Sequence, residues 1–404
     1  MSSSVALALA PAAAVVAVDV GKTTAAVLVT DAARRRLLGP LEFPMTAAGL
    51  GRVIGQAQAE LSGTPIRVGV EAAGHYHRPL LSPLVWPGWE VVELNPAHVS
   101  EQRRVMGRRR VKTDALDLEA MTELLLAGRG VPVHQTPTVV TELAAWVGHR
   151  HRRVATRVAT KNQLLGQLDR CFPGLTLVLP NVLGTRVGRL IAQDFADPHR
   201  LACLGASRFI RYAAVRGLQV RRPVAERLIA AARQTLSCPG AATARQILAA
   251  DLSLLARVDE QVQVAEATMA ELLPQTSFAP LLTVPGWAVV RAGNYAAAVG
   301  DPDRWLGAPQ LYRAAGLSPT QYESARRRRD SSISREGSVS LRRALIDLGI
   351  GLWHSDPAAQ RYGKQLRARG KNGGVILCAM AHRANKIAYA LVRDQAGYDP
   401  TRWT

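Results

Sequence analysis

Four carboxylates in the first third of the chain have the placement that metal-assisted phosphoryl chemistry requires. Asp19 closes the apolar run Val15-Val16-Ala17-Val18, and Glu71 closes the run that starts at Ile66. Asp114 and Asp117 follow, three positions apart, just after Thr113. A carboxylate at the end of a buried strand costs desolvation energy unless a cation or a set of donors compensates it. Oxygen-only donors suit Mg²⁺ or Mn²⁺, and two such ions can hold the attacking and leaving oxygens of a phosphodiester displacement. Each acid also has a plain structural reading, because Asp19 can cap a turn and the Asp114/Asp117 pair suits a helix dipole. Their combination is what points to chemistry.

Basic residues stand beside these acids. The run RRVMGRRRVK, from Arg103 to Lys112, leads directly into Thr113, so Arg108, Arg109, Arg110 and Lys112 offer the counter-charge that a phosphate backbone needs. A second run, Arg326-Arg327-Arg328-Arg329, lies in a stretch from Glu323 to Lys371 with 12 Lys plus Arg against 5 Asp plus Glu. The whole chain of 404 residues carries 51 Lys plus Arg and 31 Asp plus Glu, a formal charge of +20 that favours a polyanionic partner. Nucleic acid fits better than a membrane. No uninterrupted apolar run reaches the roughly 18–20 residues of a bilayer span. Four cysteines, at 171, 203, 238 and 378, have no paired spacing, which argues against a zinc site or a disulfide framework and for a cytoplasmic protein.

The elements that must position the acids are legible in the pattern. Residues 1–12 read as a disordered tail, lacking the basic start of a signal peptide. Val15–Val18 and Ala25–Thr30 predict a hairpin, Arg36–Phe43 a third strand, and Thr46–Leu61 a helix. Further strands follow at Ile66–Glu71 and Val91–Leu94. Thr113 or Asp114 caps a helix whose apolar face uses Leu116, Leu118, Met121, Leu124 and Leu125. Residues 13–138 therefore read as an α/β domain with a mixed sheet.

From 139 to 275 the chain reads as a helical, coiled-coil-like spacer. Leu248, Leu252, Leu255, Asp259, Val262, Glu266, Met269 and Leu273 follow a heptad spacing that predicts pairing with a helix over Leu143–Leu168. Arg150, Arg152, Arg153, Arg157 and Lys161 on that helix face either nucleic acid or solvent. The Pro/Gly-punctuated stretch Pro173–Pro239 suggests no task. Residues 276–404 predict a small, mostly helical domain.

Taken in order, AVDVGKTT, VGVEAAGHY and RRRVKTDALDLEAM resemble the N-terminal domain of the DEDD transposases of bacterial insertion sequences, the one-ten family, whose first domain is similar to the RuvC Holliday-junction resolvase. TVPGW, YRAAGLSP and SPTQYESARRRRDSSISREGSVSLRRAL resemble that family's C-terminal transposase domain. The resemblance covers nearly the whole chain. It implies an RNase H-like first domain whose Asp19, Glu71, Asp114 and Asp117 bind Mg²⁺ or Mn²⁺, and a nucleophilic serine at Ser324, where Ala325 stands in place of the usual Gly. It also implies donor and target DNA, a structured guide RNA from the element, a homodimer or higher oligomer, and a place at the bacterial nucleoid.

Rival readings are weaker. Gly21-Lys22-Thr23-Thr24 ends like a Walker A loop, but Val16 stands where that motif needs its first Gly. A sugar-kinase or actin-like ATPase shares the Asp-x-Gly start but lacks a second phosphate hairpin here. His75 and His77 have no third ligand at useful spacing and read as loop or core residues. A junction-type nuclease without serine covalency, and a nucleic-acid-binding protein whose acids only cap helices, are the remaining alternatives.

Overall fold

The computed structural model describes residues 12–61, 65–107, 113–324 and 327–402; the side chains of residues 321–331 lie outside that description. The chain divides into two compact units, one ending at Gln135 and one starting at Thr136.

The first unit is a mixed sheet with helices. Its elements are β1 (Ala14–Val20), β2 (Thr24–Asp31), β3 (Arg36–Pro44), α1 (Ala47–Glu60), β4 (Ile66–Glu71), β5 (Glu90–Leu94), α2 (Pro96–Val105), α3 (Asp114–Leu126) and β6 (Val131–Pro132). The strand order is β3-β2-β1-β4-β5-β6. β1, β2 and β3 form an antiparallel meander, while β4 pairs parallel to β1 and β5 parallel to β4. β6 returns antiparallel to β5, a strand too short to leave a period in the sequence. Alternation divides β1 between two cores: Val16, Val18 and Val20 face one with α1, and Val15 and Ala17 face the other with α3.

The second unit begins with α4 (Thr138–Cys171) and continues through α5 (Leu175–Val178), α6 (Arg186–Asp194), α7 (Pro198–Leu204), α8 (Ala206–Val215), α9 (Arg222–Gln234) and α10 (Ala241–Leu272). There follow α11 (Val289–Val299), α12 (Ala308–Ala314), the hairpin β7 (Pro319–Ser324) and β8 (Arg327–Ile333), α13 (Val339–Ser355), α14 (Pro357–Ala368) and α15 (Gly373–Asp394). α4 and α10 pack together along their length. One end of the pair, with Val140, Leu143, Val147, Met269 and Leu273, belongs to the core built by α11–α15. The other end, with Leu164, Leu168, Leu248 and Leu255, belongs to a second core with α5–α9. The stretch Pro173–Pro239 is thus a helical cap on the hairpin.

The buried row of α10 differs from the heptad expectation in phase. Leu248, Leu255, Val262 and Met269 are buried as expected, but the row beside them is Val258 and Ala265. Asp259 and Glu266 flank that row, each beside arginines: Asp259 meets Arg189 of α6 at 3.1 Å and Arg157 of α4 at 3.6 Å, and Glu266 meets Arg150 of α4 at 2.7 Å. Arg150 and Arg157 therefore serve the fold. α15 is long and apolar enough by composition to cross a membrane, yet Ile376, Met380, Ala381, Ala384, Ala388, Leu391 and Val392 pack into the first core of this unit.

Candidate active site

The site is organised by the ends of β1 and β4. Val18 pairs in register with Val70, so Asp19 and Glu71 each stand one position further along neighbouring parallel strands. Such strands lie about 4.8 Å apart. Asp19 follows Val15 and Ala17 on the face that packs on α3, and Glu71 shares that face with Gly69. Both acids are half-buried.

α3 is laid on this face by a glycine and held by three arginines. A β-carbon at Gly69 would meet the Leu125 side chain at 2.5 Å, so only glycine lets the helix come this close to β4. Arg67, 2% exposed, donates to the Leu125 carbonyl at 3.4 Å and pairs with Glu90 at 2.8 Å. It thereby adds a side-chain donor to a carbonyl in the last turn of α3 that also accepts from the Gly128 amide at 3.0 Å. On the outer face Arg34 makes a bidentate pair with Glu123, at 2.8 and 2.9 Å, and Arg36 bonds to Glu119. The Arg34 hydrogen bond holds the Glu123 carboxyl below its usual range.

These two outer pairs fix the direction of the helix. Arg34 precedes β3 and Arg36 opens it, at the end of the sheet where β1 begins, and their partners on α3 follow in reverse order. α3 therefore runs antiparallel to β1 and β4, and its first turn lies toward the strand ends that carry Asp19 and Glu71. Asp117 is eight residues before Leu125, about 12 Å along the axis.

Thr113 caps the helix, its hydroxyl accepting from the Leu116 amide at 3.3 Å, as its sequence position suggests. Asp114 is exposed, whereas Asp117 is buried at 4%. The buried carboxylate accepts a hydrogen bond from the Arg103 guanidinium in the last turn of α2. In the sequence Arg103 is merely the first cation of a basic run; it shares the last turn of α2 with Arg104, which is exposed, whereas Arg103 is part-buried. Among the described residues no three His, Cys, Asp or Glu side chains are gathered closely enough to hold a metal ion. The donor types suit Mg²⁺, but the described arrangement is not a closed coordination shell, and Asp117 is engaged by a protein cation.

Arg108, Arg109, Arg110, Lys112 and Arg326 lie outside the described residues, as do the side chains of Ser324, Arg327, Arg328 and Arg329. The backbone at Ser324 is the last residue of β7, in register with Arg327 of β8. The Arg-rich stretch around Ser324 is a hairpin, whose strands carry the β-formers Thr320, Tyr322 and Ile333. Gly337, after β8, lies against Gly316, ahead of β7, and both have positive φ, +127° and +64°. Arg342 of α13 donates to the Ala315 and Arg335 carbonyls there, at 3.0 and 3.1 Å. The TVPGW motif serves packing: Trp287 is buried with its indole N–H on the Leu348 carbonyl at 2.8 Å, and Arg291 bridges the Gly286 carbonyl and Asp347, each at 3.0 Å. His77 is buried and meets Glu93 at 3.2 Å, while His75 is exposed beside Tyr76.

Residues 16–173 match a DEDD transposase family model, described as "Transposase", and residues 279–364 match the "Transposase IS116/IS110/IS902 family". The chain is 29% identical over 296 residues to the insertion element IS110 uncharacterized 43.6 kDa protein of Streptomyces coelicolor, covering 71% of this chain and 72% of that one. It is 24% identical over 339 residues to the insertion element IS116 uncharacterized 44.8 kDa protein of Streptomyces clavuligerus, covering 83% and 84%. Over 124 residues it is 29% identical to the pilin gene-inverting protein of Moraxella bovis, covering 30% of this chain and 38% of that one.

Proposed function

Because the chain belongs to the IS116/IS110/IS902 family of transposases, we propose that it cleaves and rejoins DNA with the acids Asp19, Glu71, Asp114 and Asp117 and with Ser324 as nucleophile. The observation that supports this reading is the pairing of β1 with β4, with Asp19 and Glu71 at adjacent parallel strand ends on the face covered by α3, the helix whose first turn carries Asp114 and Asp117. The strand order also supports an RNase H-like, RuvC-like first domain. Gene inversion, named in the matched Moraxella protein, supports recombination rather than hydrolysis alone.

In the proposed reaction the Ser324 hydroxyl attacks the scissile phosphorus, losing its proton to a base. One deoxyribose oxygen leaves as a free hydroxyl and a phosphoserine ester remains. Attack by the free hydroxyl of a new partner strand then releases the serine and reseals the DNA. A bound Mg²⁺ or Mn²⁺ would supply electrostatic stabilisation of the charged phosphoryl oxygens. Asp19 and Glu71 would hold it from rigid strand ends, Asp117 from the helix turn, and Asp114 from the solvent side. Arg108, Arg109, Arg110, Lys112 and Arg326–Arg329 would neutralise phosphates. By the family resemblance, a structured RNA of the element would select donor and target DNA, and a homodimer or larger assembly in the bacterial cytoplasm would do the work.

The test is to trap the covalent product. Wild-type protein with element-flanking DNA, the element transcript and Mg²⁺ should yield a protein–DNA species on a denaturing gel that maps to the Ser324 peptide. Ser324→Ala should lose it, Ser331→Ala and Ser334→Ala should keep it, and Asp19→Asn should lose cleavage while still binding nucleic acid. Cleavage at the wild-type rate in Ser324→Ala would exclude the serine mechanism and leave a metal-dependent nuclease.

A further inference from the structure

Asp117 is the one acid of the proposed site that lies almost wholly inside the protein, with 5% of its side chain exposed, and Arg103, itself 16% exposed, is bonded to it. A carboxylate this deep is tolerable only beside a cation. A divalent ion and a guanidinium are alternative answers to that requirement, and both need the same lone pairs of the same oxygens. We propose that Arg103 is an internal competitor for the metal: it neutralises Asp117 until a divalent cation displaces it, so metal entry requires the arginine to leave. The inference rests on the metal reading of the acids given above.

The setting of Arg103 suits a group that changes partners. It lies in the last turn of α2, followed by Arg104. The helix ends at Val105, and Gly107 has φ of +80°, a conformation that ends helical continuity. Beyond it, in sequence, come Arg108, Arg109, Arg110 and Lys112. Asp117, in contrast, is on a helix pinned by Arg34, Arg36, Arg67 and the close approach at Gly69. The cation stands one turn from the end of its helix, and the carboxylate is on a helix tied down by several long-range contacts. A displaced Arg103 also has an obvious second partner: a DNA phosphate, whose charge and oxygen geometry match what it gives up. Metal loading and DNA engagement would then favour each other, because each removes the guanidinium from Asp117 or gives it somewhere to go.

The experiment measures Mn²⁺ binding to the full-length, DNA-free protein by the loss of the free-ion electron paramagnetic resonance signal. Wild type, Arg103→Met, Arg103→Lys and Arg104→Met are compared, with Asp117→Asn as the control for the site. Loss of a charge-assisted hydrogen bond that competes with the metal should tighten binding by at least about tenfold in Arg103→Met. Arg104→Met removes an equal charge one residue away and should change affinity by less than about threefold, the size of a general surface-charge effect. Arg103→Lys, keeping the charge, should fall between and provides a folded variant if the methionine protein is unstable. Unfolding temperature gives a second reading: Arg103→Met should melt lower than wild type without metal and gain more on adding Mn²⁺. Equal Mn²⁺ affinity in wild type and both Arg103 variants, with binding still lost in Asp117→Asn, would overturn the competitor role and leave the metal site standing. Absence of Asp117-dependent Mn²⁺ binding in every variant would overturn both.

Discussion

The contact between Gly69 and Leu125 decides how closely α3 sits on β4, and a single methyl group should disturb it. In Gly69→Ala the new Cβ would lie 2.5 and 2.7 Å from the two methyls of Leu125 and 2.9 Å from its Cγ. Carbon atoms pack at about 3.5–4.0 Å, so Leu125 must retreat by roughly 1 Å. It has little freedom to do so, being fully buried with Val15, Ala17, Val92, Leu118 and Met121. Overpacking of this kind costs about 1–3 kcal/mol. Restricting the unfolded chain returns about 0.4–1 kcal/mol, leaving a net loss of about 1–2 kcal/mol. Leu125→Ala alone should cost about 2–5 kcal/mol through the cavity it opens. Together the two changes relieve each other, because the added methyl enters space that the leucine has vacated. The double variant should be more stable than the sum of the singles by about 1–3 kcal/mol.

Hydrogen exchange at the β1 and β4 amides is the appropriate assay, since it reports the stability of this unit within the intact chain. DNA cleavage should follow the same pattern, falling in Gly69→Ala, where α3 is displaced with Asp117 on it, and recovering in part in the double variant. Additivity of the two substitutions to within about 0.5 kcal/mol would refute the reasoning, since it would mean that the two side chains do not share space.

Glu90→Ala would remove a carboxylate paired with the Arg67 guanidinium, which is 2% exposed; because Glu90 itself is 44% exposed and Arg67 keeps its bond to the Leu125 carbonyl, the expected loss is about 1–2 kcal/mol, less than for a fully broken buried pair. Adding Arg67→Met should recover part of it in a denaturant titration. The Arg34–Glu123 pair predicts an acid-side effect: the folded carboxyl lies below its ordinary 4.5, so the pair's stabilisation is present above pH 4.5 and is lost as pH falls through the folded value. Unfolding temperatures of wild type and Arg34→Ala should therefore differ at pH 6 and converge at low pH; the gap at pH 6 should be under about 1 kcal/mol because the arginine is largely exposed.

The sequence shows the strands of the first unit and its acids clearly because buried strands are continuous apolar runs, and a carboxylate at the end of one stands out. Ile66–Glu71 is recovered to the residue. The Thr113 cap is equally plain, for it depends on chemistry within four residues. What escapes is set by partners far away in the chain. Arg34 and Arg36 look like surface cations until Glu123 and Glu119, 89 and 83 positions on, are brought beside them. Arg103 reads as part of a phosphate-binding run, and Gly69 as an ordinary strand glycine. The phase of α10 is missed for the same reason, since Asp259 and Glu266 fit a heptad in sequence but pair at its flanks with arginines on α4 and α6. Ser324 is harder still: the motif points to it, but alternation in a seven-residue strand full of arginine is a faint signal for β8.

The same pairs bear on what the charge of +20 means. An arginine bonded to an acid adds nothing to the net charge, so Arg34, Arg36, Arg67, Arg103, Arg150 and Arg157 shape the fold while contributing little to the long-range field. The surplus must reside where cations lack acids in sequence and in space. From Pro357 to Lys371 the chain has Arg361, Lys364, Arg367, Arg369 and Lys371 with no acidic residue, and all five are exposed. Arg361, Lys364 and Arg367 recur every third residue on α14 and so share one side of that helix. Such a stripe attracts phosphate without reading sequence, and its contribution to binding falls steeply with salt. Charge in this protein thus divides by partner: where an acid is within reach it positions α3 and the α4–α10 pair, and where none is available it faces outward as the field that a nucleic acid would meet.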